Sequence, residues 1–75
     1  RIMNKAFRFK NLDCADCAAK LERKLSSIDG INSIRVDFLF QKILLDYDET
    51  KKDQVFADMK KNIADFEPDM VVLGL

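Results

Sequence analysis

Two cysteines and an adjacent aspartate form a stretch of side chains suited to holding a metal ion. Cys14 and Cys17 are separated by two residues, and Asp13 directly precedes the first. An alternating segment ends before them and a helical pattern follows, so we expect a strand-to-helix loop and the first helical turn. A helix N-terminus lowers the pKa of nearby thiols and so favours the thiolates that bind metals. The stretch therefore predicts a metal-capture site.

The set of donor atoms decides which ion suits such a site. Two thiolates alone suit Cu(I), which is a soft ion. A carboxylate changes this balance, because zinc accepts sulfur and oxygen ligands together in a tetrahedral shell. Cys14, Cys17 and Asp13 would leave one position open for water, for exchange or for a partner's ligand. An incomplete shell is what a carrier needs, and we favour ligation by Asp13 over a role as a helix cap alone.

Closely spaced cysteines have other uses, and three of them compete with metal capture. The pair could be a redox pair, as in a thiol–disulfide oxidoreductase, or an incidental reduced pair in an interaction module. A structural disulfide is disfavoured because the loop it would close is too small to constrain the unfolded chain. The oxidoreductase is disfavoured because no tryptophan adjoins the pair and no proline lies within it.

Apolar periodicity predicts six elements around this loop. They are a strand over 3–10, a helix over 15–28, strands around Ile34–Phe38 and Ile43–Tyr47, a helix from Thr50 to about residue 65, and a strand over Met70–Leu73. Asp13 is the expected N-cap of the first helix, Gly30 is its expected left-handed stop, and Pro68 ends the second helix.

The order strand, helix, strand, strand, helix, strand predicts an α+β fold of the ferredoxin-like βαββαβ type. We expect a four-stranded antiparallel sheet with two helices on one face and solvent on the other.

Composition indicates one globular domain. The 13 basic and 13 acidic residues cancel, which argues against a nucleic-acid or anionic-membrane surface apart from a local patch. No apolar run approaches the roughly 18 residues of a membrane-spanning helix, and no signal-peptide pattern is present. Arg1 and Ile2 precede the first methionine, and two interpretations fit them: a remnant of the expression vector, or the interior of a longer protein.

The loop and the element order resemble the heavy-metal-associated domain family over residues 3–73. The common copper version of the family's loop is Gly-Met-Thr-Cys-x-x-Cys, and Asn11–Cys17 stand in the same places. Leu12 takes the place of the methionine, which in the family tucks under the loop. Asp13 replaces the threonine, and this change is similar to the zinc, cadmium and lead branch, in which the acid is a third ligand. Asn11 in place of glycine is a mild departure.

The resemblance implies a cytosolic amino-terminal domain of a zinc-, cadmium- or lead-exporting P-type ATPase. Its metal ligands would be Cys14, Cys17 and Asp13, and its partner the membrane transport domain of the ATPase, in the same or a separate chain. Catalysis would lie outside these residues, which include no histidine, phosphate-binding glycine loop or Asp-Lys-Thr-Gly run. No nucleic acid and no membrane insertion of this segment are expected. The main alternative is a Cu(I) chaperone or copper-ATPase domain.

Several side chains near the predicted site are weaker candidates. Asp16 is expected to face solvent and to favour the helix dipole. Asp65 or Glu67 could complete a metal shell, although a solvated acidic loop is the simpler interpretation. The family resemblance implies that Phe66 lies near the metal loop and shields it. The first helix also carries cations that suit either a docking patch or a solvated face, namely Lys20, Arg23 and Lys24.

Overall fold

The computed structural model describes residues 1–75 and contains all six predicted elements in the predicted order. These elements are β1 (Ile2–Lys10), α1 (Ala15–Ser26), β2 (Ile31–Asp37), β3 (Lys42–Asp48), α2 (Lys52–Phe66) and β4 (Val71–Leu73), with a short 3-10 turn over Glu49–Lys51. The ferredoxin-like βαββαβ prediction is confirmed. None of the helices combines the length and apolar composition needed to cross a bilayer.

The strands form one antiparallel sheet in the order β2-β3-β1-β4. β1 lies inside the sheet, where Phe7 is opposite Ile43 on one side and Arg8 is opposite Leu73 on the other. β4 therefore pairs on one side only, and its short apolar run is an edge strand. The sheet also includes Ile2, which pairs with Asp48.

The core lies between the sheet and the two helices. Alternate strand residues face it, because successive side chains of a strand point to opposite faces. Helices α1 and α2 contribute residues at three- and four-residue spacing, as their sequence patterns predict. The chain has 14 buried residues, all apolar: Phe7, Phe9, Leu12, Ala18, Leu21, Leu25, Val36, Ile43, Leu45, Tyr47, Val55, Met59, Ile63 and Met70.

One polar contact ties the first helix to the sheet. The Glu22 carboxylate on α1 accepts a hydrogen bond from the Val36 backbone N–H on β2, at 2.8 Å. Because β2 is an outer strand of the sheet, this contact fixes α1 beside the edge.

The boundaries of both helices differ from the predicted ones. Helix α1 ends at Ser26, and Gly30 lies four residues later, where it leads into β2 with φ of +95°. Gly30 is thus a turn residue and not the helix stop. A Cβ there would lie 2.6 Å from Val55 Cγ2, so α2 packs against the space that glycine leaves open.

The second helix begins through a capped turn. Asp48, and not Thr50, is the capping residue, and its carboxylate accepts hydrogen bonds from the backbone N–H and the hydroxyl of Thr50. The difference arises because the short 3-10 turn precedes the regular helix, and Asp48 is the N-cap of that turn.

The topology brings several chain segments to one end of the sheet. β1 ends there at Lys10, α1 begins there, and β4 begins there because Val71 pairs with Lys10. The β2–β3 hairpin turns at the same end, since Lys42 pairs with Arg8. The cysteine loop therefore lies between the start of one helix, the end of the other and the hairpin.

Candidate metal centre

The loop between β1 and α1 is supported from below by an apolar residue. Leu12 is buried in the core with 1% of its surface exposed, as the resemblance implied for this position. Asn11 has φ of +65°, a left-handed conformation that asparagine tolerates better than most residues. This explains why asparagine can stand where the family's common loop has glycine.

Cys14 is the N-cap residue of α1. Its backbone is extended, with φ of −120° and ψ of 120°, and its Sγ accepts a hydrogen bond from the Cys17 backbone N–H at 3.2 Å. The prediction that Asp13 caps this helix is wrong. The reason is the three-residue spacing of the cysteines, which lets the Cys14 sulfur reach an amide that a cap must satisfy.

The same spacing makes the two thiols unequal. Cys14 is exposed, and hydrogen bonds from the Cys17 thiol and backbone amide lower the pKa of the Cys14 thiol. Cys17 is half-buried against the core, and the hydrogen bond to Cys14 raises its pKa, with burial adding to the effect. The Cys14 thiol is thus the more readily ionised of the two.

Charged neighbours act on the half-buried thiol from both helices. The Lys20 ammonium on α1 lowers the pKa of Cys17, and the Glu67 carboxylate after α2 raises it. From its sequence position alone, Lys20 is predicted only as a docking or solvated residue. Its spacing of three residues from Cys17 places it on the next turn of the same helix face, which is the signal that could have identified it.

An open cleft of about 560 Å³ lies beside the exposed thiol. Its lining, here called the thiol cleft, comprises Asn11, Leu12, Asp13, Cys14, Glu67 and Asp69. Asp13 and Cys14 therefore line the same open cleft. Asp13 takes part in no side-chain hydrogen bond or salt bridge.

The segment after α2 contributes acids to this cleft, but not all of the residues considered. Glu67 and Asp69 line it, whereas Asp65 and Phe66 do not. Phe66 is half-buried against the core. Sequence reasoning missed Asp69 as a cleft residue, because only the pairing of Val71 with Lys10 brings this short loop against the end of β1.

The structure brings the two cysteines together more closely than it does the carboxylates. No three of the Cys, Asp and Glu side chains converge into a group that could hold an ion. Asp16 is exposed in the first turn of α1, as predicted. What the arrangement offers is one exposed thiol with a lowered pKa, a second thiol one helical turn away and acids at the rim. Such a set is suited to a soft or borderline cation.

Comparison with known proteins matches this arrangement to one family. The model of the heavy-metal-associated domain matches residues 6–69. The chain is 38% identical over 50 residues to a cadmium, zinc and cobalt-transporting ATPase of Helicobacter pylori, covering 67% of this chain and 7% of the relative. It is 30% identical over 56 residues to a zinc/cadmium/lead-transporting P-type ATPase of Escherichia coli, covering 75% of this chain and 8% of the relative.

A solved structure shows the same fold. It is the N-terminal domain of a potential copper-translocating P-type ATPase from Bacillus subtilis in the Cu(I)-loaded state, with a TM-score of 0.71 and 18% identity. The match covers 96% of this chain and 85% of that one.

Proposed function

The chain belongs to the heavy-metal-associated domain family, and from this premise we propose that it captures a divalent zinc, cadmium or lead ion through Cys14, Cys17 and Asp13. The observation that carries the proposal is the exposed Cys14 sulfur, held at the start of α1 by the Cys17 amide at 3.2 Å. Thiolates are the ligands that bind such ions. The metal is cargo in this proposal, because an all-apolar core of 14 buried residues holds the domain together without it.

Asp13 supplies the proposed preference for a divalent ion. Its carboxylate is exposed, lines the thiol cleft beside Cys14 and is free of the capping role. A carboxylate adds a hard oxygen donor and a negative charge, both of which favour Zn(II) over Cu(I). The names of the curated relatives, which include cadmium and zinc, agree with this choice.

The proposed shell of two sulfurs and one oxygen is incomplete, and this suits transfer. A tetrahedral ion held by three protein ligands keeps one position for water or for an incoming ligand. A partner's donor can therefore bind the ion before the domain releases it. The exposed Cys14 is the ligand from which exchange would begin, because Cys17 is the more buried of the two.

The cellular role proposed is that of a cytosolic domain of a metal-exporting P-type ATPase, where it delivers the ion or regulates transport. The matched segment spans only 7–8% of the curated relatives. ATP hydrolysis and translocation would belong to a membrane transport domain, as the family resemblance implies. In this proposal residues 1–75 bind the metal and the catalytic groups lie outside them.

A Cu(I) domain is the second candidate. Two thiolates without the acid suit Cu(I), and a solved protein of this fold carries Cu(I). The oxidoreductase has less support, because β2 and β3 form an antiparallel hairpin in place of a helical crossover.

The deciding experiment is a competition titration of the reduced, metal-free chain with Zn(II), Cd(II) and Cu(I). Asp13→Ala is compared with wild type and with Asp16→Ala, which removes an equal charge from the same loop region. We expect Asp13→Ala to weaken Zn(II) and Cd(II) binding by on the order of 10-fold to 100-fold, to leave Cu(I) binding nearly unchanged, and Asp16→Ala to change neither.

Equal losses in the two variants would show that Asp13 acts only through its charge. Indifference of all three metals to Asp13, with Cu(I) held most tightly, would move the domain to copper traffic.

A further inference from the structure

The hairpin between β2 and β3 ends in two adjacent exposed apolar side chains. Leu39 is 86% exposed and Phe40 is 73% exposed, more than any other large apolar residue of the chain. The pair, here called the apolar tip, is held in place because the Phe9 backbone N–H donates to the Gln41 carbonyl at 3.0 Å. Two adjacent protruding apolar side chains form a small apolar patch, which is a candidate contact surface.

Directly behind the apolar tip lies a cleft of about 550 Å³ with cationic walls. Arg8 and Lys10 on β1 and Lys42 on β3 line it, together with Leu73 and the tip itself, and none of its lining residues is acidic. We call it the basic cleft. The nearest acid on the hairpin is Asp37, whose carboxylate accepts from the Phe40 backbone N–H and whose strand position is opposite Lys42. Arg8 and Lys10 therefore remain without a cross-strand acid.

The arrangement of the apolar tip and the basic cleft indicates which partner would bind there. The apolar side chains lie at the end of the molecule, and the cationic cleft lies behind them. The surface of an anionic bilayer has the complementary order, with an apolar interior below a layer of phosphates. An acidic protein would satisfy the cations, but it would still need a separate apolar pocket for a protruding pair of residues.

We propose that the apolar tip and the basic cleft form a contact site for an anionic phospholipid surface. Leu39 and Phe40 enter the boundary between headgroups and acyl chains, and Arg8, Lys10 and Lys42 hold lipid phosphates. The contact is shallow, and it departs from the expectation of no membrane insertion only in these two side chains, at the level of the headgroups. The balanced total charge of the chain argued against such a surface except as a local patch, and the fold assembles that patch from separate strands.

This contact would orient the metal site. The hairpin and the cysteine loop lie at the same end of the sheet, since Arg8 pairs with Lys42 and Lys10 precedes the loop. A domain seated on the membrane through its tip and basic cleft would therefore hold Cys14 at the membrane-facing end. The carboxylates beside it, Asp13, Glu67 and Asp69, stay outside the contact because anionic headgroups repel them. The contact uses no metal ligand, so its test is independent of the metal-capture proposal.

A fluorescence experiment tests the site directly, because the chain has no tryptophan. Phe40→Trp places a single reporter in the tip. Ile2→Trp is the matched control, since Ile2 is 48% exposed on the same sheet face but lies about 20 Å away along β1. The variants are mixed with vesicles of neutral phosphatidylcholine or of phosphatidylcholine containing anionic phosphatidylglycerol.

We expect the emission of Phe40→Trp to shift to the blue with anionic vesicles only, and that of Ile2→Trp to stay unshifted. Raising the salt from about 50 mM to about 500 mM should remove the shift, because screening weakens the contact with phosphates. An unshifted Phe40→Trp, or an equal shift at position 2, would overturn the proposal.

Co-sedimentation with the same vesicles tests the native residues. The double variants Leu39→Ser/Phe40→Ser and Arg8→Gln/Lys42→Gln should each lose most of the bound fraction of wild type, while Ile2→Ser keeps it. Circular dichroism confirms that each variant is folded. Absence of wild-type binding at low salt would overturn the lipid assignment, and so would binding that persists in both double variants.

Discussion

The two ends of the sheet are built differently. At the end opposite the cysteines, backbone groups are paired tightly: the Asp48 N–H donates to the Gly30 carbonyl and the Glu49 N–H to the Arg1 carbonyl, each at 2.8 Å. Lys51 forms the only salt bridge, with Asp29 at 3.1 Å. At the cysteine end, the thiol cleft and the basic cleft are open to solvent, whereas the cleft at the opposite end, along residues 49–54, has no thiol and no apolar side chain in its lining. We call these the closed end and the open end.

The contrast indicates where stability and binding reside. A site that exchanges metal must keep ligands accessible, so it cannot be covered by the packing that stabilises a small domain. The closed end and the shared core hold the fold, and the open end carries the exposed groups. Substitutions at the closed end should therefore change the free energy of unfolding, and those at the open end should change binding.

The largest expected effect is the loss of divalent metal binding when a cysteine at the open end is replaced. Cys14→Ser or Cys17→Ser should weaken divalent metal binding by more than about 100-fold, beyond what loss of a supporting residue costs. Serine is a good N-cap, so Cys14→Ser should keep the helix start and the thermal midpoint of the apo domain. Titration and circular dichroism measure the two quantities. Retained tight binding in either variant would refute the site assignment.

At the closed end, Gly30→Ala should break stability and leave the loop intact. The new Cβ would meet Val55 Cγ2 at 2.6 Å in a backbone with φ of +95°, so we expect a loss of about 2–4 kcal/mol in urea unfolding. Gly74→Ala is the matched control, since it has φ of +86° but a nearest contact of 3.9 Å. Equal losses in both variants would mean that backbone strain alone, without the clash, determines the cost.

The Asp13→Ala titration described above is the next largest effect, because it removes the one oxygen donor of the proposed site and spares both sulfurs. It sharpens the comparison by asking whether the acid at the open end belongs to the site. A fall in apo stability, in place of a fall in divalent affinity, would give Asp13 a structural role.

A pH experiment examines the closed end through Asp48. Hydrogen bonds from the Thr50 hydroxyl and amide lower the pKa of this carboxyl from 3.8. The ionised form of Asp48 is thus favoured in the folded state. The ionised carboxylate stabilises the folded domain at pH values above the unfolded-state pKa, and this contribution is lost as the pH falls through the folded-state pKa. Asp48→Asn should be slightly less stable than wild type at pH 7, and the difference should be smaller at pH 3, because it shrinks as the pH falls below 3.8 toward the lowered folded pKa. Thermal unfolding at both pH values measures this, and a constant difference would contradict it.

The smallest effect distinguishes two left-handed residues at the open end. Gln41 has φ of +53° in the hairpin and Asn11 has φ of +65° in the cysteine loop. Gln41→Gly should stabilise the domain by about 0.5 kcal/mol, whereas Asn11→Gly should be nearly neutral because asparagine already tolerates this region. Urea unfolding of both variants tests the difference. A larger gain at position 11 would show that the cysteine loop is the more strained of the two.

Much of the fold could be predicted because its signals are local. Phe7 and Phe9 alternate with charged residues in β1, and Leu21 and Leu25 repeat at helical spacing in α1, so both patterns identify a buried face. The errors fall at element ends. Asp13 and Thr50 are good capping residue types, but Cys14 and Asp48 take those positions because their spacing to the next amides fits the backbone that forms.

The cysteines of the candidate site could also be predicted, because they are adjacent in sequence and start a helix. Asp69 and the basic cleft could not, since they depend on strand pairing between distant residues. Lys42 and Arg8 are far apart in the chain and meet only through the β1–β3 register. Residue type alone carries no information about that pairing.

The contact between Glu22 and Val36 has a consequence for association between molecules. β2 is an outer strand, and outer strands expose amide groups that can add a strand from another chain. The Glu22 carboxylate occupies one of these amides at 2.8 Å, while the other outer strand, β4, has only three residues. Pairing between the sheets of two molecules is therefore blocked at β2 by the Glu22 side chain and limited at β4 by the length of the strand. Both features protect a domain with an exposed apolar tip from aggregating through its sheet edges.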